Sequence, residues 1–535
     1  MIELTGNTLT IEQLVAVARH HERVAPLGTE ARTRMSASHA WVADAIRGQG
    51  KVIYGVNTGF GSLANRQISA DEARQLSRNL ILLCVVGVGD PLPGEIVRAM
   101  MAIRANMLAK GHSGVRPVVA QTLIDMLNAG VTPRVPAKGS LGASGDLAPL
   151  AHIAVVLTRD GGDGDCDRDF SGQAWYGGEL LTGAEAMAHA GIERLVLEAK
   201  EGLALSNGID FMAAAGALAV HDAESLLAHA QIGAALSFEA LLGLTAAYDP
   251  ALQEASGQPG QRAVAARLLE LVRGSRLADS AAGRVQDAYS LRCTPQVLGP
   301  ILDLVAFVRA RFSTAINAAT DNPLILQDDA GEFRAVSGGN FHGQGPALWL
   351  DMLGIALAEV ADIAERRIFR LLTPELSDGL PAMLVPSSGL DGGLMMVQYT
   401  AAALVSDNKT LAHPDSVDSI PSSANQEDHV SMGANAARHT LEILDNVRHV
   451  LAIELLAAAQ AIDLRPDGPV RLGHGTSRAY AEIRRHASYL AHDRPTSPDI
   501  EALTGLIRSG ALLQAVWNTC PENRTQMTLI NADWR

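Results

Sequence analysis

Two stretches constrain the chain most: FMAAAGALAVHDAESLLAHAQIGAALSFEALLG, residues 211–243, and NVRHVLAIELLAAAQAIDL, residues 446–464. Alanine and leucine have the best intrinsic helix propensities, and β-branched clusters are sparse in both. A surface helix shows one apolar stripe, whereas these stretches are apolar nearly all round. They belong inside a bundle or between subunits. The sequence therefore predicts a mainly α protein with very long buried helices.

The earlier part is more broken. VIYGVNTGFGSLANR, residues 52–66, begins apolar and becomes a glycine-rich loop, and RAMMAIRANMLAKGHSG reads as an amphipathic helix stopped by Gly111. At 535 residues the chain exceeds the usual domain size, yet no fixed-period repeat, proline-rich linker or low-complexity tail marks a boundary. The expectation is one unit over 1–535: an N-terminal part to 205, a central helical bundle over 206–465 and a C-terminal helical appendage over 466–535.

Charge and cysteine usage exclude several function classes. Lys and Arg number 43 against 58 Asp and Glu, a net charge of −15 with no basic run, so a nucleic-acid backbone would be repelled. Cys84, Cys166, Cys293 and Cys520 lie far apart without a CxxC pair, which suggests neither a disulfide framework nor a zinc site and fits a reducing cytoplasm. The first residues lack a basic stretch followed by an apolar core, and every apolar segment is interrupted by charge or histidine, so neither export nor a membrane span is expected. Aspartates at 163, 165, 167 and 169 invite a calcium reading, but Arg168 stands where an EF-hand loop needs glycine and no glutamate closes the loop. A solvated acidic loop is expected, and no metal.

The stretch GSLGASGDLAPLAH, residues 139–152, sets Ala143, Ser144 and Gly145 side by side between further glycines. It lacks the Gly-Lys-Ser/Thr ending of a P-loop. It also fails the Gly-x-Ser-x-Gly spacing of a nucleophile elbow, because the second glycine comes one residue early. On residue types alone it reads as a tight loop ahead of a helix, with Asp146 near the start of LAPLAHIAVVL. Other polar stretches interrupt apolar context: YGVNTGFG at Tyr54, SNGID around Asn207, QDAYSLRC from Gln286, SGGNFHGQ from Ser337 and NQEDHVSMG from Asn425. Singly each has an ordinary structural account. Jointly they supply phenols, an arginine, carboxamides and a carboxylate, groups that would hold an amino acid and move its protons.

In this order these motifs resemble the aromatic amino-acid ammonia-lyases, the family of histidine, phenylalanine and tyrosine ammonia-lyases, in patches from about Tyr54 to about Leu464. The resemblance implies the long helix bundle of the fumarase and aspartase type with a smaller mixed N-terminal part, and a homotetramer whose sites draw on several subunits. It also implies that Ala143, Ser144 and Gly145 cyclise and lose water to give 4-methylideneimidazol-5-one (MIO), an electrophile made without external cofactor. Tyr54 would then be the base that takes the β-proton, and Tyr289 would stand near the electrophile. Arg292 would bind the substrate carboxylate with Asn207 as a carboxamide helper; Gln286 would line the site, and Phe341 would pack by the prosthetic group. The implied activity is non-oxidative deamination of an aromatic L-amino acid to the arylacrylate and ammonia.

Substrate choice is where the chain departs from the family's pattern. Before GVG, where histidine lyases carry Ser-His, this chain has Leu83-Cys84, which offers an imidazole nitrogen no partner and favours an apolar, phenylalanine-like ring. Glu427 is the histidine-branch residue and could bind a ring N–H. Phenylalanine-like substrates are therefore expected first, then histidine, then tyrosine. An aminomutase would use the same prosthetic group.

Overall fold

The computed structural model describes residues 1–47, 52–59, 61, 66–69, 72–161 and 170–517. The aspartates considered for calcium, Arg168, Cys166 and Cys520 lie outside the described residues. Among the described residues the chain forms 20 α-helices and nine strands of two to four residues, the mainly α class expected. It divides into two compact units. One comprises Met1–Ala219, Arg309–Asp351 and Pro414–Arg438; the other comprises Val220–Val308, Met352–His413 and His439–Arg535.

The first unit holds all nine strands. Gln173–Tyr176 pairs antiparallel with Glu179–Thr182 across Gly177-Gly178, both at positive φ, the left-handed dihedrals a tight two-residue hairpin demands. A second hairpin, Leu324–Gln327 with Phe333–Val336, comes from far beyond the N-terminal part of the sequence. Proline opens the helix Pro117–Ala129 and Gly130, at φ +81°, ends it.

The helix Gly94–Ala109 departs from the amphipathic reading. It is buried on every side from Ile96 to Ala109, including two arginines. The charge of Arg98 is held by carbonyls remote in sequence, Val17 O at 2.8 Å and Leu127 O at 3.1 Å, to which it donates. A guanidinium so satisfied can enter a core that periodicity alone reserves for apolar side chains.

The longest helices are Asp210–Ala240, Gln344–Leu372 and Gly433–Leu464, and the first and last cover the two alanine-rich stretches. Near the start of the first, Gly216 lies against Phe312, where a Cβ would stand 2.1 Å from the ring; Phe312 meets Trp349 edge to face. Within the second unit a buried trio joins all three helices. Glu454 accepts from Arg367 Nη2 at 3.0 Å and from Ser237 Oγ at 2.9 Å. The C-terminal helices are tied on by backbone groups: Arg465 donates to Ala240 O, Ser377 O and Asp378 O, and Glu239 accepts the Gly473 amide at 2.8 Å. Burial pushes the Glu239 carboxyl up to about 7. No helix among the described residues is long and apolar enough to cross a membrane.

Candidate active site

Residues 139–146 form a loop that ends at the helix Leu147–Leu157. Glycines give it its course. Gly142 has φ +68° and Gly145 +75°, and a Cβ on Gly145 would stand 2.0 Å from Gly208 O. Only glycine fits there. Gly145 and Gly208 form a parallel bridge, continued by the Asp146 amide donating to Gly208 O at 2.6 Å. Ser140 Oγ accepts from the Gly142 amide and donates to Gly145 O.

Two other segments converge on this loop. The Gly343 amide and the Ser431 hydroxyl both donate to Gly142 O, at 2.9 and 3.0 Å, and the Met432 amide donates to Leu141 O at 2.8 Å. Ala143 thereby packs against Val430 and Met432. The first link brings Phe341, two residues before Gly343, to the neighbourhood; the others bring the segment that carries Glu427.

The Ser144 hydroxyl donates to Glu427 Oε1 at 2.7 Å, and Glu427 Oε2 accepts from Ser422 Oγ at 2.8 Å. Asn207 Nδ2 donates to Ser144 O at 2.6 Å, while the buried Asn207 Oδ1 has no partner. Cys84, at the end of the helix Ala73–Cys84, is buried with Leu80, Ala151 and Leu203, and Tyr54 packs on that cluster. Burial, reinforced by the Glu427 carboxylate, pushes the Cys84 thiol up to about 11. It is a neutral group. The Tyr54 hydroxyl accepts the Gly61 amide at 3.2 Å.

Tyr54, Cys84, Ala143, Ser144, Gly145, Asn207, Phe341 and Glu427 all belong to the first unit. Leu83 is not drawn in: it is 70% exposed, one residue and about 100° of helical turn away from Cys84. The second unit holds the other three. There the Arg292 guanidinium lies 4.7 Å from the Tyr289 ring centroid and donates to Gln286 Oε1 at 2.7 Å, while its Nε is buried without a partner. Tyr289 is 71% exposed.

Two side chains have a part that sequence reasoning missed. Asp146 stands at the N-cap position of the helix Leu147–Leu157, yet its carboxylate caps another helix, accepting the Phe211 and Met212 amides at 2.9 and 3.1 Å. Burial holds that carboxyl up at about 7. His152, the last residue of the quoted motif, accepts the Gly87 amide on Nε2 at 3.1 Å. Burial pushes this imidazole down to about 4, so it stays a neutral acceptor. The motif itself was the signal in both cases, but its partners are remote in sequence.

The profile of the family described as aromatic amino acid lyase matches residues 9–485. The chain is 49% identical to the histidine ammonia-lyase of Treponema denticola over 517 residues, 97% of this chain and 98% of that one. The crystal structure of histidine ammonia-lyase from Trypanosoma cruzi superposes with a TM-score of 0.88 at 37% identity, covering 100% of this chain and 98% of that one. The tyrosine aminomutase of Streptomyces globisporus gives the same TM-score at 36% identity, covering 97% and 99%.

Proposed function

The chain belongs to the aromatic amino acid lyase family, as a carbon–nitrogen ammonia-lyase, and from that premise we propose that it converts L-histidine to urocanate and ammonia. The observation that carries the choice of ring is the Glu427 carboxylate beside both Ser144 and Cys84. Leu83-Cys84 alone favours an apolar, phenylalanine-like ring. That preference finds no support among the relatives, and it treats two adjacent residues in isolation. With Glu427 at the same place, an imidazole N–H has an anionic acceptor and need not be buried unpaired.

The residues fit an MIO group built from Ala143, Ser144 and Gly145. Gly145 offers an amide nitrogen with no side chain, in a φ that only glycine takes freely. Ser144 carries the hydroxyl that must leave, and Asn207 donates to the carbonyl oxygen that the ring would keep. Once formed, the group supplies an electrophilic carbon that draws electron density from the substrate nitrogen and makes ammonia a better leaving group. Loss of the Ser144 hydroxyl also frees Glu427 Oε1 to accept from substrate.

The remaining roles follow from donors and acceptors left open. Arg292 takes the substrate carboxylate with its guanidinium fork, held by Gln286 and the face of Tyr289. The unpartnered Asn207 Oδ1 accepts from the substrate ammonium. Tyr54 removes the β-proton. Phe341 and Cys84 form the apolar walls. Tyr289, Leu390, Met396 and Tyr399 are exposed apolar residues of the second unit, which supports an assembly that covers them; we take that assembly to be the homotetramer the family resemblance implies.

A panel of L-histidine, L-phenylalanine and L-tyrosine, read by near-ultraviolet absorbance of the acrylate and by chromatography, tests the reading. Histidine is expected to give the highest kcat/KM and urocanate as product. A higher value for phenylalanine would restore the apolar-ring reading, and a β-amino acid product would make the protein an aminomutase, the activity of its Streptomyces neighbour.

A further inference from the structure

Asn207 follows a helix of only six residues, Glu201–Ser206, and three ion pairs surround that short element within the first unit. At its start Lys200 Nζ meets Asp321 Oδ2 at 2.6 Å, both side chains fully buried, and Arg116 Nη2 meets the buried Glu201 Oε2 at 2.7 Å. Beyond its end Arg104, 1% exposed, places one guanidinium under the turn. Arg104 Nη1 donates to Ala204 O at 2.7 Å and to Asn207 O at 2.9 Å, and Nη2 donates to Asp210 Oδ2 at 2.5 Å.

Burying a charge pair costs desolvation energy that its own attraction rarely repays, so such a pair is poor evidence for a role in stability alone. What Arg104 fixes is position. Gly208, at φ +149°, lies directly on it: a Cβ there would stand 2.6 Å from Arg104 Nη2 and 2.8 Å from Asp210 Oδ2. The same two residues, Asn207 and Gly208, make the contacts that bear on the reactive loop. Asn207 Nδ2 holds Ser144 O, and Gly208 O accepts the Asp146 amide while facing Gly145.

Resting on the reading given above, we propose that Arg104 is a positioning residue for the self-modification of Ala143, Ser144 and Gly145, acting through the Asn207–Asp210 turn. In that reaction the Gly145 nitrogen bonds to the Ala143 carbonyl carbon. The Ala143 oxygen leaves as water with the amide protons of Gly145 and Ser144, and a C=N bond remains. The Ser144 Oγ, with its own proton and the α-proton, leaves as a second water, and a Cα=Cβ bond remains. No oxidant is needed. Asn207 stabilises charge on Ser144 O while the α-proton departs, and Arg104 keeps Asn207 there.

Intact-protein mass spectrometry of the full chain, on the fraction that is folded by circular dichroism and elutes with the wild-type assembly, reads the modification directly. Wild type is expected to lack two waters. Arg104→Met is expected to retain both in most molecules, and Arg104→Lys, which restores one charged donor but not the fork, is expected to lie between the two. Gly208→Ala leaves Arg104 in place and wedges a methyl between it and the turn; it too is expected to keep both waters, and it decides the matter if Arg104→Met does not fold. Folded variants that all lose two waters as wild type does would overturn the proposal. Wild type that retains both waters would instead bring down the functional reading.

Discussion

His152 and Gly87 are joined by a hydrogen bond of 3.1 Å in which the imidazole is the acceptor, so the helix after the reactive loop holds the chain that follows Cys84. Under the proposed function, this bond fixes a wall of the substrate cavity from the side of the Ala143-Ser144-Gly145 loop. Replacement by leucine leaves the Gly87 amide without its partner; a fully buried donor so orphaned costs about 1 to 3 kcal/mol, and this half-buried one costs less. His152→Leu is expected to melt at a lower temperature and to raise KM for histidine more than it lowers kcat. Thermal denaturation and steady-state kinetics check it; equal KM would show that this anchor does not shape the cavity.

Glu427→Gln removes the anionic acceptor while keeping one carboxamide oxygen. A hydrogen bond to a charged group is worth about 1.5 to 3 kcal/mol, so kcat/KM on histidine should fall about 10- to 100-fold. Activity on phenylalanine should fall less, since its ring has no N–H to bind. The ratio of the two rates is the measurement, and an unchanged ratio removes Glu427 from substrate selection.

Arg292→Lys keeps the positive charge but loses the planar fork and the stacking on Tyr289. KM for every amino acid in the panel should rise about tenfold or more, with the ranking of rings unchanged, because the carboxylate is common to all. A change confined to one ring would contradict a carboxylate role.

Glu239 gives a pH prediction in the second unit. Its carboxyl titrates at about 7 in the folded protein against the ordinary 4.5, so the native state holds the proton more tightly than the unfolded chain does. Its stabilising contribution is full below pH 4.5 and is lost as pH rises through about 7. Glu239→Gln cannot ionise. Its melting temperature relative to wild type should therefore climb between pH 4.5 and 7 and level off above, and a flat difference would place the carboxyl elsewhere on the scale.

The helical class and the glycine-dependent course of the loop at residues 139–146 were legible because they depend on local facts. Alanine-rich runs announce the helices Asp210–Ala240 and Gly433–Leu464, and glycines at 142 and 145 announce a backbone that side chains would obstruct. What could not be read depends on partners distant in sequence. Arg98 and Arg104 break the apolar periodicity of Gly94–Ala109, and their burial is explained by the carbonyls of Val17, Leu127, Ala204 and Asn207 together with the Asp210 carboxylate. Asp146 looks like the cap of its own helix and caps a different one. The influence of the Glu427 carboxylate on Cys84 belongs to the same class, and reading Leu83-Cys84 without it favoured an apolar ring, a preference that the histidine ammonia-lyase relatives do not support.

The high titration point of Cys84 bears on how this protein ages. Oxidants and alkylating agents attack the thiolate, and at neutral pH this sulfur is almost wholly protonated. Peroxide and thiol-directed reagents are therefore expected to modify Cys84 more slowly than an ordinary exposed cysteine at neutral pH.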